Sequence, residues 1–144
     1  MLPALCLLAW PVAAQQAAAM PASLQGDWYQ NDRHGQQQCG RYRADPGNGL
    51  AIVGQLRIRE RDFDTFSEYG EGNHSQVTAV QQQAADQWRV SELTFIEGDV
   101  GHGKPGESVF RLRDGVLHLS ARYTLWRDGV PTQQTSERTY FRCK

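Results

Sequence analysis

The chain has 144 residues, with 15 Lys and Arg against 16 Asp and Glu, a formal net charge of -1, and 40% hydrophobic and 10% aromatic residues. At roughly 100–200 residues per domain that length holds one core, which excludes a multidomain enzyme with a separate cofactor fold. The balanced charge excludes a dedicated nucleic-acid or anionic-membrane binder, because no excess of Lys and Arg is present to displace phosphate counterions.

Met1 to Ser23 carries no charged residue, and Leu2 to Ala14 is apolar throughout, interrupted only by Pro3 and Pro11. A bilayer-spanning helix needs about 20 apolar residues and a signal-peptide core about 7–15, so residues 1–14 read as a signal peptide. Cleavage falls before Gln15, or alternatively after Ala19, and leaves residues 15–144 as one domain. A lipidated Cys6 is the alternative, although Cys6 lies inside the apolar stretch and not after it. A buried N-terminal helix is another, opposed by Pro11. Export places the mature chain in the periplasm or outside the cell, in the bacterial envelope. Removal of the signal leaves Cys39 and Cys143, which in an oxidising compartment form one disulfide. Free thiols or zinc ligation remain open, but no His stands at ligand spacing from either cysteine.

Along the mature chain, segments of strand character alternate with Gly, Asp and Asn, and no amphipathic helix is evident. The predicted strands are Asp27–Gln30, Leu50–Glu60, Phe63–Tyr69, Gln76–Gln83, Gln87–Ile96, Ser108–Arg113, Val116–Tyr123 and Ser136–Cys143, with Thr124–Trp126 and Gln133–Gln134 extending the last hairpin. Uneven alternation around Phe63 and Phe66 predicts a bulge near Asp64–Thr65. The sharpest local signal is Phe110 to Leu119. Asp114-Gly115 suits a two-residue type I′ turn that pairs Leu112 with Leu117 and Phe110 with Leu119 on one face, and Arg111 with His118 on the other. Asp128-Gly129 predicts a second tight hairpin, in which Pro131 cannot donate to the ladder. Serial short strands joined by local turns form an antiparallel up-and-down barrel or a sandwich. A Cys39–Cys143 bridge between the first and last elements favours the barrel.

Chemical motifs are sparse. Gly98 to Pro105 follows phosphate-loop spacing but ends on Pro105 where a Ser or Thr must hold magnesium, and it leads into a strand and not a helix. His34, His74, His102 and His118 match no metal spacing, so no metal site is assigned. No Gly-x-Ser-x-Gly nucleophile motif occurs. The carboxylate pairs Glu68 with Glu71 and Glu92 with Glu97, and the alternating Arg57, Arg59 and Arg61, read as solvated outer-face charges. No cofactor is implied. The aromatic residues suffice for one core, and a subset of them, Trp88, Phe95 and Trp126, is the candidate lining of a ligand site at the barrel mouth.

Leu24-Gln25-Gly26-Asp27-Trp28-Tyr29 at the mature start resembles the Gly-x-Trp opening of lipocalins and related calycins. The early Cys39, the serial strands and the terminal Tyr140-Phe141-Arg142-Cys143 are similar to the layout of small exported proteobacterial proteins of lipocalin-like shape. The resemblance implies that Trp28 plugs one barrel end, that Gly26 allows the tight entry, and that Arg142 or Arg138 stacks across the indole. The expectation is therefore an all-β, lipocalin-like barrel of about eight antiparallel strands. It would act as a non-catalytic module for a small apolar or amphipathic ligand. The alternative is an envelope protein-interaction module, such as a hydrolase inhibitor, acting through the exposed loop Glu97–Gly106.

Overall fold

The computed structural model describes residues 18–46, 55–66, 72–96 and 103–144. The described strands are β1 (Gly26–Gln30), β2 (Gln55–Ile58), β3 (Asp62–Phe66), β4 (Gly72–Ala84), β5 (Gln87–Ile96), β6 (Lys104–Arg113), β7 (Val116–Arg127) and β8 (Val130–Phe141), and a helix α1 (Arg33–Ala44) lies between β1 and β2. Every strand pairs antiparallel with its chain neighbours, and β8 returns to β1 to close the barrel. The up-and-down barrel expected from the serial strands is therefore present.

Turn chemistry sets the β6–β7 register. Asp114 and Gly115 both take positive φ, 52° and 75°, the pair of left-handed conformations that a type I′ turn requires. Phe110 then faces Leu119, Arg111 faces His118 and Leu112 faces Leu117, as predicted. Asp128 and Gly129 repeat the turn with φ of 51° and 77°, and the β7–β8 ladder runs without interruption from Val116↔Phe141 to Arg127↔Val130. Three expectations need correction. The bulge predicted at Asp64–Thr65 is absent, and β3 is regular. The register shifts lie instead in β4, between Val77 and Ala79 and between Gln82 and Ala84, where a 13-residue strand must bend to follow the barrel wall. Of the predicted strand Leu50–Glu60, the described part is strand only over Gln55–Ile58, and residues 50–54 lie outside the described residues.

The third correction is α1, where no helix was expected. Its buried positions are Gly35, Gln38 and Cys39, so it carries no apolar stripe for a periodicity search to find. Other forces hold it. The Asp32 side chain accepts from the Gly35 amide at 2.7 Å as an N-cap, and Arg41 and Arg43 sit in the last turn, where the helix dipole favours cations. Gly35 is required by close approach, because a Cβ there would lie 1.8 Å from the Gln30 carbonyl oxygen. The helix covers the outer face of β1, where the buried Tyr29 ring sits 6.3 Å from Tyr42 and 6.2 Å from Phe141.

The seam between β1 and β8 is short. It consists of Tyr29↔Phe141 and Gln30↔Tyr140, with the Asn31 amide donating to the Thr139 carbonyl at 2.8 Å beyond them. The Cys39–Cys143 disulfide, with Cα atoms 5.5 Å apart, ties α1 directly after β1 to the residues directly after β8.

Inside, one end of the barrel is filled. Phe63 of β3 and Phe110 of β6 meet edge to face at 5.4 Å across the interior, within a cluster that includes Trp28, Leu56, Ile58, Leu117 and Tyr140. The preceding chain caps this end with the buried Met20 and Leu24, the Met20 amide donating to the Glu60 carbonyl at 2.7 Å. The Trp28 indole donates to the Leu24 carbonyl at 2.8 Å. The Arg142 guanidinium lies 4.1 Å from the Trp28 ring centroid and donates to the carbonyls of Ser23 and Gln25. Gly26, at φ +121°, leaves room for it, since a Cβ there would stand 2.8 Å from an Arg142 nitrogen.

The Cys39→Ser/Cys143→Ser variant tests the seam. A cross-link closing a loop of about 100 residues contributes roughly 3–5 kcal/mol. Urea unfolding of the oxidised chain against this variant is expected to show a loss in that range, with amide exchange accelerating first in α1 and at Tyr140–Phe141. Equal midpoints would show that the strand ladder alone holds the seam.

Candidate functional site

Alternation along the strands turns Trp88, Val90, Glu92 and Thr94 of β5 to the interior, and the register sets them beside Phe110, Ser108, Gly106 and Lys104 of β6. On the other side, Val77 pairs with Glu92 and Ser75 with Thr94. The interior therefore changes character along its axis. Toward the β2–β3 and β6–β7 turns it is aromatic and aliphatic. Toward the opposite end it is lined by Ser75, Thr94, Glu92 and Ser108, with the Ser75 and Thr94 hydroxyls 3.0 Å apart.

Glu92 is the centre of this polar band. It is 7% exposed, and the Ser108 hydroxyl donates to its Oε1 at 2.9 Å. Its Oε2 has no hydrogen-bond partner among the described residues. Gly106 opposite makes space for the carboxyl, since a Cβ there would approach Oε1 to 3.3 Å. Burial pushes the Glu92 pKa up to about 7; the Ser108 hydrogen bond opposes the rise and the negative charge of Glu107 adds to it. A buried carboxyl with an unsatisfied oxygen costs free energy in the absence of a partner, which makes Glu92 a candidate functional residue.

Above the interior the β7–β8 hairpin continues as a free ribbon. Beyond Arg122, which pairs with Glu107, β7 pairs with β8 alone among the described residues. The inward alternation Leu117, Leu119, Ala121 carries on to Tyr123 and Leu125, and Val130 across the turn shares that face. These three are exposed, at 43%, 36% and 61%. The face that begins as barrel interior thus ends as a mixed surface, in which these three share one side of the ribbon with Arg127, Thr132 and Gln134.

On the rim, a cleft of about 370 Å³ is lined by Asp64, Thr65, Asn73, His74, Phe95 and Ile96, among others. Asp62, Asp64 and His74 bring their ligand atoms within 4.8 Å of one another. The Arg59 guanidinium, however, bonds both carboxylates, and His74 Nδ1 is 2.7 Å from Asp64 Oδ1, donating to the ionised carboxylate. Partial burial raises the Asp64 pKa, but the His74 and Arg59 hydrogen bonds outweigh it and hold the carboxyl below its ordinary value. The group is an internally compensated ion network on the outer face.

Of the three residues expected to line a ligand site, Trp88 and Phe95 lie on opposite faces of β5. Trp88 faces inward at 9% exposure and belongs to the core. Phe95 stands seven positions along the regular strand β5, hence on the opposite face, against Gly103 and 6.4 Å from the His74 ring. Trp126 lies on β7, paired with Pro131, and its side chain falls outside the described residues, as do residues 97–102 of the Glu97–Gly106 loop. Glu92 corrects a further expectation, since it is buried and not on a solvated outer face. Its signal was present in the sequence, because Trp88, Val90 and Glu92 share one parity in a single strand.

The Glu92 shift has a signed consequence. Below the ordinary value of 4.5 the carboxyl is protonated in both the folded and unfolded chain; between 4.5 and about 7 only the unfolded chain ionises. Stability therefore falls as pH rises through that window and levels off above it, by about 3 kcal/mol for a shift of this size. Urea midpoints at pH 5 and pH 8 are expected to drop for the native chain and to lose this component in Glu92→Gln. Parallel pH dependence in the two proteins would place Glu92 in ordinary solvation.

Comparison with known proteins adds no further assignment: no family model, no curated protein and no solved structure matches the chain.

Proposed function

We propose that the chain is a non-catalytic binding module of lipocalin-like type, acting in the bacterial envelope, that takes a small amphipathic molecule at the polar end of its barrel. The observation that carries this reading is Glu92 Oε2, a buried acceptor without a partner on the inner wall. Ligand sites in such barrels combine apolar lining with a few placed polar groups, and a donor seated on Glu92 would relieve an otherwise uncompensated cost. The apolar counterpart is the exposed inner face of the ribbon, Tyr123, Leu125 and Val130. The Arg142–Trp28 stack over the opposite end supports the lipocalin-like reading. Export is supported by the disulfide, and no helix among the described residues is long and apolar enough to cross a membrane.

A protein-interaction reading has one specific support, the same protruding ribbon, which offers an exposed hairpin on a rigid barrel. Native mass spectrometry of the oxidised protein purified from its host separates the two. Binding of a small molecule is expected to appear as a defined added mass that is lost in Glu92→Gln. Unliganded protein that instead retains an envelope protein through the ribbon, and releases it on Leu125→Ser substitution, would overturn the small-molecule reading.

A further inference from the structure

We propose that the ligand is an organic cation, an ammonium head carrying an apolar group, with the head seated on Glu92 Oε2 and the apolar part lying along Tyr123, Leu125 and Val130. This rests on the barrel-binding reading and specifies the ligand's charge and shape.

Three observations carry it. First, a carboxylate oxygen is buried on the inner wall without a partner among the described residues. Val77 flanks Glu92 on β4, Gly106 and Ser108 face it from β6, and only Ser108 bonds it, through the other oxygen. Second, no ion pair joins Glu92 to a cation among the described residues. Lys104, on the inward side of β6, is exposed, and Arg138, on the inward side of β8, is engaged by the Tyr140 hydroxyl. The charged group that acts on the Glu92 carboxyl is Glu107, of like sign. An anionic head would meet repulsion there, and a neutral head would leave a buried charge unneutralised. Third, the alternation that turns Glu92 inward on β5 runs through Gly106 and Ser108 on β6 to Ala121 on β7, and the same parity turns Tyr123 inward one residue past Arg122, where the β6–β7 pairing ends. A carboxylate and an aromatic ring on one inner face attract an ammonium head through charge and ring quadrupole.

The test uses hexylammonium, 1-hexanol and hexanoate, which share a tail and differ in head charge, titrated calorimetrically into the oxidised protein at pH 8. Hexylammonium is expected to bind about tenfold or more tightly than 1-hexanol, with hexanoate the weakest. Glu92→Gln should erase the preference for the ammonium over 1-hexanol, and Tyr123→Leu, at an exposed position, should weaken the ammonium more than the alcohol. Because the head requires the ionised carboxylate, ammonium affinity in the native chain should also fall as pH drops from 8 to 5, a readout that holds even where Glu92→Gln fails to fold. Equal binding of the alcohol, or tighter binding of hexanoate, overturns the cation assignment while leaving the barrel as a binding site. Absence of binding by all three overturns the assignment and the barrel reading together.

Discussion

Closure of the barrel rests on the seam where β1 meets β8. All other ladders join strands that are neighbours in sequence, but this one joins Tyr29 and Gln30 to Phe141 and Tyr140, and it is brief. The rest of the molecule is arranged around making it hold. Outside the seam, α1 buries Tyr29 against Tyr42 and Phe141, and the disulfide fastens the helix to the chain just past β8. Inside it, Arg142 reaches from the end of the last strand to the Trp28 ring of the first and to carbonyls of the capping segment. Stacking, hydrogen bonds and a covalent link thus do at one edge what ladder length does elsewhere.

A consequence of placing the plug at that edge is that the two ends of the barrel differ in kind. The end under Trp28 is packed across its full width, as the Phe63–Phe110 contact shows, and its residues contribute stability in the ordinary way of buried apolar area. The opposite end holds Ser75, Thr94, Glu92 and Ser108, which contribute little by burial and, in the case of Glu92, oppose folding near neutral pH. The filled end makes that tolerable. A small barrel needs one well-packed half to stand, and what remains of the interior is then available for polarity that packing alone would not select.

Much of the barrel was legible in the chain because hairpins are local. Asp114-Gly115 fixed a turn, a register and two faces at once, and strand β5 could be bounded at Gln87 and Ile96 from alternation and flanking residues. The helix was not legible, since its burial depends on Gly35, Gln38 and Cys39, none of which registers as apolar periodicity. The ligand-site aromatics were misjudged for a simpler reason. Size and aromaticity selected Trp88 and Phe95, whereas parity along one strand separates them to opposite faces. The same parity rule, applied to Glu92 after Trp88 and Val90, points inward. The general expectation that carboxylates stay in water points the other way; it is sound for most positions and fails for this one.

The brevity of the seam also orders events in time. Each hairpin from β2 to β8 forms from segments close together in the chain and closes small loops, while the β1–β8 ladder must bring together residues more than a hundred positions apart, with the sulfurs that join them separated by 104. Loop-closure entropy makes that encounter the costliest step, and topologies dominated by such distant pairings fold slowly. The open sheet of eight strands therefore precedes the closed one, and during that interval its β1 and β8 edges are bare. Pro131, on the outer strand of the ribbon, has no amide hydrogen to offer a neighbouring chain. It guards against intermolecular pairing during the period before the ends of the protein find each other.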